Sequence, residues 1–267
     1  MGSLMAAFSL ASVLGVPISL YLANIWNWHA PFIIVAALGA LLIPLTIRFV
    51  PPMRMHLEHS RNRRNTEAIS VIFSRKTSLI ALGLSGLLML GHFIIVPFIN
   101  PYMEFNVEFS KNQIPLIYVV GGAATLFSAP VFGKLADKHG KLKMYSITAV
   151  ATLPFVFLIT HMPSIPFYYV LIVTGLWFIV SNGRSISAQA MISNVMEPQY
   201  RGSFMSLNSS FQQLFVGSAS FMAGLIVSND LITHKIYHYN WAGFLSIAIL
   251  LFCVYLGRVL RKNSEHL

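Results

Sequence analysis

The chain alternates between long apolar runs and short polar connections. Residues 112–133 and 144–183 contain no Asp, Glu, Lys or Arg. A helix that crosses a bilayer needs about 20 mostly apolar residues. Eight stretches meet that requirement: 2–24, 30–50, 78–100, 113–133, 144–161, 166–190, 203–228 and 240–258. They are apolar throughout rather than alternating, which predicts helices and not the strands of a membrane barrel. The pattern therefore predicts an all-α membrane protein with eight transmembrane helices.

The polar connections set its orientation. With eight spans, both termini lie on one side. That side carries Arg48, Arg54, Arg61, Arg63, Arg64, Arg75, Lys76, Lys134, Lys138, Lys141, Lys143, Arg201, Arg258, Arg261 and Lys262, and the other side only Lys111 and Lys235. Basic loops stay cytoplasmic, so both termini are expected in the cytoplasm and the protein in the plasma (inner) membrane. Losing or adding one span would scramble this asymmetry. Trp26, Trp28, Tyr168, Tyr169, Tyr237, Tyr239 and Trp241 fall at the opposite boundary, where an aromatic belt is expected.

Composition agrees with a bilayer as the solvent. The 267 residues are 56% hydrophobic and 10% charged, against about 25% charged in soluble domains. The net charge of +10 resides in loops between apolar runs, so the lipid bilayer is the expected partner and nucleic acid is not. Cys253 is the single cysteine, so no intrachain disulfide can form; in its apolar run it reads as an inert thiol. The first residues lack the basic region and cleavage pattern of a signal peptide. No phosphate-binding glycine loop, metal-ligand cluster or catalytic triad is present, so neither an enzyme, a metal site nor a cofactor is expected.

The longest connection, residues 51–77, is rich in Pro, Arg and Asn. It divides the chain into a helix pair over 1–50 and a six-helix unit over 78–258, with 259–267 as a cytoplasmic tail. The six divide again at the short turn 161–166 into three plus three, and inverted sets of three are a transporter architecture. In the first span, Ser3, Ala7, Ala11, Gly15, Ser19 and Ala23 recur every four residues. Small residues at that spacing form a face that another helix can approach closely, and Pro17 beside Gly15 would bend the helix. Gly121, Thr125, Ser128 and Ala129 offer a matching face on the fourth span.

Ionisable and polar groups inside spans are the candidate functional residues. His92 is the one histidine well inside a span, readable either as a titrating group or as a neutral imidazole bonded to backbone. Asn100 follows eight residues later on a similar face. Arg184 lies near the cytoplasmic end of the sixth span, where it could snorkel to the interface or bind an anion. Trp177, Ser181, Arg184 and Ser185 can share one helix face, with Gln189 nearby. Asn208, Gln212 and Gln213 add polarity to the seventh span. Together they form a candidate substrate pathway, although each alone could simply join helices.

The polar segment Gly133-Lys134-Leu135-Ala136-Asp137-Lys138-His139-Gly140-Lys141 suits a tight turn between two apolar helices. It also resembles the cytoplasmic signature G-x-L-x-D-[RK]-x-G-[RK] of the major facilitator superfamily of secondary transporters. Pro198-Gln199-Tyr200-Arg201-Gly202 resembles the Pro…Arg-Gly turn of that family's second half, and Gly15-Val16-Pro17 the Gly-Pro element of its antiporters. The composite is most similar to the drug–proton and sugar-efflux branch. The resemblance implies alternating-access export of a small organic solute such as a drug or sugar, coupled to protons. It implies that 1–50 are the last two helices of a first bundle and that 78–258 are a complete second bundle. Four preceding helices would then be missing from this chain. Either another chain supplies them, or this is a truncated fragment without transport activity. It further implies that Asp137 latches the bundles together at the start of the first span, with Arg201 close by. No Asp or Glu lies deep in a span, so His92 is the one obvious proton-coupling group here.

Overall fold

The computed structural model describes residues 14–49 and 65–264. These form ten α-helices and one two-stranded ribbon. Helices α1 (Val16–Ile25) and α2 (Ala30–Phe49) come first, followed by α3 (Asn65–Ser74), α4 (Lys76–Phe93) and α5 (Val96–Phe105). Helices α6 (Ile114–His139), α7 (Lys141–Thr160), α8 (Phe167–Ile192) and α9 (Pro198–Ile226) follow. Strands β1 (Ser228–Asn229) and β2 (Ile236–Tyr237) precede α10 (Tyr239–Ser264).

Among the described residues, six helical segments are long and apolar enough to cross a membrane: Ala30–Phe49, Lys76–Phe105, Ile114–His139, Lys141–Thr160, Phe167–Ile192 and Tyr239–Asn263. Of the eight expected spans, the first lies mostly outside the described residues. The seventh corresponds to α9, whose 29 residues reach about 43 Å at 1.5 Å per residue. Its length suffices, but its serines, Asn208, Gln212 and Gln213 make it more polar than the other six. The segment 51–77 is not wholly a loop, because α3 occupies 65–74 and α4 begins at Lys76.

The helices pack in a definite order. Helix α8 lies between α6 and α7; α10 lies between α7 and α4; α9 covers α4. The apolar side chains at the centre include Leu82, Leu84, Ile117, Tyr145, Ile159, Phe204 and Tyr239. Many outward side chains are equally apolar, such as Phe127, Phe221 and Leu225. A surface of that kind suits lipid and not water. Four buried threonine hydroxyls are satisfied within their own helices: Thr148 donates to the Met144 carbonyl, Thr152 to Thr148, Thr160 to Val156 and Thr174 to Val170. Such back-bonding hides a polar group without needing a partner helix.

Two local features shape the bundle. The expected third span is broken at Ile94–Ile95, where Pro97 in the first turn of α5 lacks an N–H. The Ile95 carbonyl, which takes the Phe98 N–H at 3.2 Å, also accepts from Tyr239 Oη at 2.9 Å, and Gly91, one turn before the break, accepts from Ser246 Oγ. Both hydroxyl donors lie on α10, so the break is stapled from outside its own helix. The second feature is Gly140, which alone joins α6 to α7 at φ +91°. Side chains rarely adopt that conformation, so the position calls for glycine. Residues 133–139 are thus the final turns of α6 and not part of the reversal itself.

By helix alternation, the α6–α7 turn, the α8–α9 connection, the start of α4 and the end of α10 share one end of the bundle. We call it the basic end. There Arg75 Nη2 meets Glu197 Oε1 at 2.7 Å, joining the start of α4 to the start of α9. Hydrogen bonding from Arg75 and its charge hold the Glu197 carboxyl below its ordinary range. A depressed folded pKa gives stability that is present at neutral pH and lost as pH falls through that lowered value. The melting difference between the parent chain and Arg75→Gln is therefore small at pH 7 and vanishes on acidification. A difference constant from pH 7 to pH 3 would contradict this pairing. The pair is exposed, so its contribution also falls with salt.

Candidate functional site

The residues with the most unusual surroundings lie around the α4 break. His92 is in the last turn of α4. Its ring stacks on Trp177 of α8, with centroids 5.1 Å apart and planes inclined by 12°. Arg184, two turns further along α8, donates from Nη2 to His92 Nδ1 at 3.4 Å. Arginine can only donate, so in this contact His92 Nδ1 is the acceptor. The break that ends α4 therefore places His92 where a stacking partner and a cation both reach it.

Arg184 does not snorkel to the interface, since only 2% of it is exposed. Its distance along α8 suggested a boundary position, but its face decides its environment. The guanidinium turns inward toward His92 and lies within electrostatic reach of Tyr145 on α7 and Cys253 on α10. Among the described residues it has no carboxylate partner; the two ion pairs there are Arg75–Glu197 and Lys111–Glu104. Leaving a buried charge without its partner costs on the order of 3–5 kcal/mol. Among the described residues its Nη1 has no hydrogen-bond acceptor, and Trp177 Nε1, Ser181 Oγ, Ser187 Oγ and Tyr145 Oη are also buried without a partner there.

Beside His92 is a void of about 90 Å³, lined also by Ile99, Tyr118, Thr174, Trp177 and Phe178. Asn100 closes this region at the α5 side by accepting from Tyr118 Oη at 2.7 Å. The expected face of Trp177, Ser181 and Arg184 is thus buried as one stripe, whereas Ser185 points outward and is exposed. Gln189 is half-buried one turn beyond. On α9, Gln212 Nε2 donates to Ser85 Oγ of α4 at 2.7 Å, so it joins helices. Asn208 is buried with its Oδ1 unpartnered.

The other expected residues fall elsewhere. Asp137 and Lys138 are exposed at the basic end. Asp137 shares a cavity of about 430 Å³ with Gly140, Lys141, Asn194 and Arg261. No ion pair links it to Arg201 among the described residues; Arg201 and Gly202 are exposed in the first turn of α9. The proposed latch target at Met1–Ser3 lies outside the described residues, as do Ala7 and Ala11. A side chain at Gly15 or Gly133 would meet nothing within 4 Å. Pro17 and Ser19 lie on α1, which packs on α6. Yet the face of α6 expected to receive it is used partly by α8. A Cβ at Gly121 would collide with the Phe178 ring, and Asn182 of α8 donates to the Thr125 carbonyl at 3.3 Å. Small residues permit close approach without specifying which neighbour makes it.

Two important residues escaped the sequence reading, Tyr118 and Tyr145, tyrosines inside spans, where a phenol in lipid needs a partner. That chemistry was a usable signal, but their neighbours in space are far away in sequence. Tyr239, expected in the aromatic belt at the boundary, is instead buried and donates to the Ile95 carbonyl.

The family model described as Major Facilitator Superfamily matches this chain over residues 1–214 and again over 81–267. Among similar curated proteins is a probable sugar efflux transporter of Helicobacter pylori strain G27. It is 24% identical over 141 residues, covering 53% of this chain and 35% of that protein. A probable sugar efflux transporter of Mannheimia succiniciproducens is 25% identical over 136 residues, covering 51% of this chain and 33% of that protein. The chain thus spans about a third of the length of the relatives it matches. With six apolar helices among the described residues long enough to cross a bilayer and a family match over most of its length, this is a multi-pass membrane protein, and it belongs to the major facilitator superfamily.

Proposed function

We propose that this chain works as a secondary transporter exporting a small organic solute, a sugar or sugar-like compound, by alternating access. The observation that carries the reading is the likeness of half the chain to proteins named as sugar efflux transporters, within a family match that spans it. The void beside His92 and Trp177 supports a solute site within the bundle, since aromatic walls with a few polar groups suit a ring-shaped solute. In this reading there are eight spans, with α9 and the segment ending in α1 as the two beyond the six apolar ones. Residues 78–258 act as a six-helix bundle, and 1–50 belong to a partner bundle. The basic end faces the cytoplasm of a plasma membrane, supported by its excess of Lys and Arg. Proton coupling would pass through His92, and Asp137 would act as a latch at the cytoplasmic face.

Vesicles carrying the 267-residue chain and loaded with radiolabelled glucose, lactose or a sugar acid test this. Expected is saturable release of at least one solute, accelerated by an inward proton gradient and slowed by Asp137→Ala. No release of any solute above protein-free vesicles would favour the second reading, a membrane fragment that does not transport.

A further inference from the structure

We infer that the tip of the β1–β2 ribbon, Leu231 and Ile232, inserts into the lipid head-group region of the leaflet opposite the basic end and anchors the far ends of α9 and α10 there. The inference goes beyond the transport reading and needs only that α10 crosses the bilayer. Among the described residues these two adjacent side chains are the most exposed large hydrophobics, at 87% and 89%. They stand out further than any outward apolar side chain of the helices. The turn holds them in place. Asp230 Oδ1 accepts from the Ile232 N–H at 2.7 Å and from the Thr233 N–H at 3.3 Å. The Asp230 carbonyl accepts from the His234 N–H at 2.9 Å, and the Lys235 carbonyl from the Asp230 N–H at 3.0 Å. Behind the turn the ribbon is fixed to the bundle: Ile236 is buried, Asn106 holds its backbone, and the His234 ring lies 5.4 Å from that of Phe105. The single carboxylate of the turn is thus folded onto its own N–H groups, and the outermost surface is aliphatic. Adjacent apolar side chains presented on a fixed turn mark a contact site, because nothing local shields them from water.

Lipid is the partner of the right size and in the right place. A stable protein contact takes about 800 Å² per side, and two side chains beside exposed Asn229, Thr233 and His234 supply a small part of that. A bilayer accepts a small apolar wedge at the boundary of head groups and acyl chains, about 5–10 Å deep. The ribbon joins the end of α9 to the start of α10, at the end of the bundle opposite the basic one. Lipid-suited side chains continue from it in both directions: Phe221 and Leu225 in the last turns of α9, then Tyr237 and Trp241, all half or more exposed. Tyrosine and tryptophan at such a position mark the boundary between membrane and water. Helix α9 has most to gain from an anchor. Its polar residues define its depth in lipid poorly, and interfacial anchors set the tilt and rotation of a spanning helix.

The test places a fluorophore at the tip. Cys253 is buried, so Leu231→Cys and Ile232→Cys chains can each be labelled with an environment-sensitive dye, with the parent chain as the blank. Lys111→Cys, between α5 and α6 at the same end and with its side chain 72% exposed in the parent, is the water control. Each chain is reconstituted into phosphatidylcholine vesicles with or without doxyl-labelled lipid, and iodide is added separately as the aqueous quencher. Doxyl lipid should quench the dye at the two tip positions several-fold more than at the Lys111 position, and iodide should do the reverse. All three chains carry the same dye, so its own affinity for lipid cancels. Leu231→Ser, added to the labelled Ile232→Cys chain, should weaken the doxyl quenching, because half of the wedge is gone. Iodide quenching at the tip equal to that at the Lys111 position puts the tip in water and overturns the inference. Shielding from both quenchers puts the tip against protein and overturns it equally.

Discussion

Gly243→Ala lowers the melting temperature of the chain by several degrees, and Gly243→Leu prevents recovery of a monodisperse protein. Gly243 lies near the start of α10, where α10 crosses the end of α7. A Cβ there would collide with Thr160 Oγ1 and stand 2.8 Å from Thr160 Cβ. Thr160 is buried and short, and its hydroxyl is already committed to the Val156 carbonyl at 3.0 Å. Rotation cannot relieve the clash, because Cβ is fixed to the backbone. The helices must separate, at about 1–3 kcal/mol for a modest overpacking and more for leucine. Alanine also gains about 1 kcal/mol of helix propensity over glycine, so the sign depends on which term is larger. Contact with a β-carbon on a facing helix makes the clash larger. Melting by size-exclusion chromatography after heating decides the matter; a Gly243→Ala chain as stable as the parent would show that α10 and α7 can part freely. Thr160→Gly in the same chain should recover part of the loss, since the two substitutions act on one contact.

Asn106→Ala costs about 2 kcal/mol and loosens the connection that follows α9. Asn106 caps the end of α5, and its amide makes two hydrogen bonds to one distant residue. Nδ2 donates to the Ile236 carbonyl at 2.8 Å, and the Ile236 N–H donates to Oδ1 at 2.8 Å. One side chain thus mimics a strand partner for β2, which pairs on its other edge with Asn229 of β1. Each such bond contributes about 1 kcal/mol, with a further penalty where backbone groups are left unsatisfied. Ile236 is buried against the helices, so the ribbon cannot recover water freely at that point. Hydrogen exchange reads this directly: the Ile236 amide should lose most of its protection in Asn106→Ala and keep some in Asn106→Asp. Unchanged protection at Ile236 would mean that the β1–β2 pairing holds the ribbon without Asn106. Asp230, whose Oδ1 accepts from the Ile232 and Thr233 N–H groups, should keep the ribbon's tip folded in both variants.

Much of the architecture was legible because lipid leaves the backbone few choices. Each run of about 20 apolar residues must close its hydrogen bonds within itself, so helices at 30–49, 114–139, 141–160 and 167–192 follow from hydropathy and length. A reversal within 133–141 was legible from its glycines and charges, and the structure confines it to Gly140, whose φ of +91° side chains rarely adopt. The break at Ile94–Ile95 was not anticipated, although Pro97 and Pro101 both lie in the affected span. Many prolines sit inside intact helices here, including Pro44, Pro130 and Pro154. A proline therefore marks where a helix can break, and stapling from Tyr239 and Ser246 makes a break tolerable.

The candidate site divides in the same way. That His92 and Arg184 matter follows from burying ionisable groups in apolar runs, which needs no knowledge of neighbours. Their meeting does not follow, because 92 residues separate them and a helix face has no address in the sequence. Rotation of α8 in the bundle turned Arg184 inward and Ser185 outward, although the two are adjacent. Gly121 likewise shows only that something comes close; packing made that neighbour Phe178 of α8. Linear pattern thus determines span, charge asymmetry and the family signature at 133–141, since these depend on local composition and covalent order. Partner choice, the orphaned donors and the void at Trp177 arise from how rigid helices share a limited volume, a property of the whole bundle.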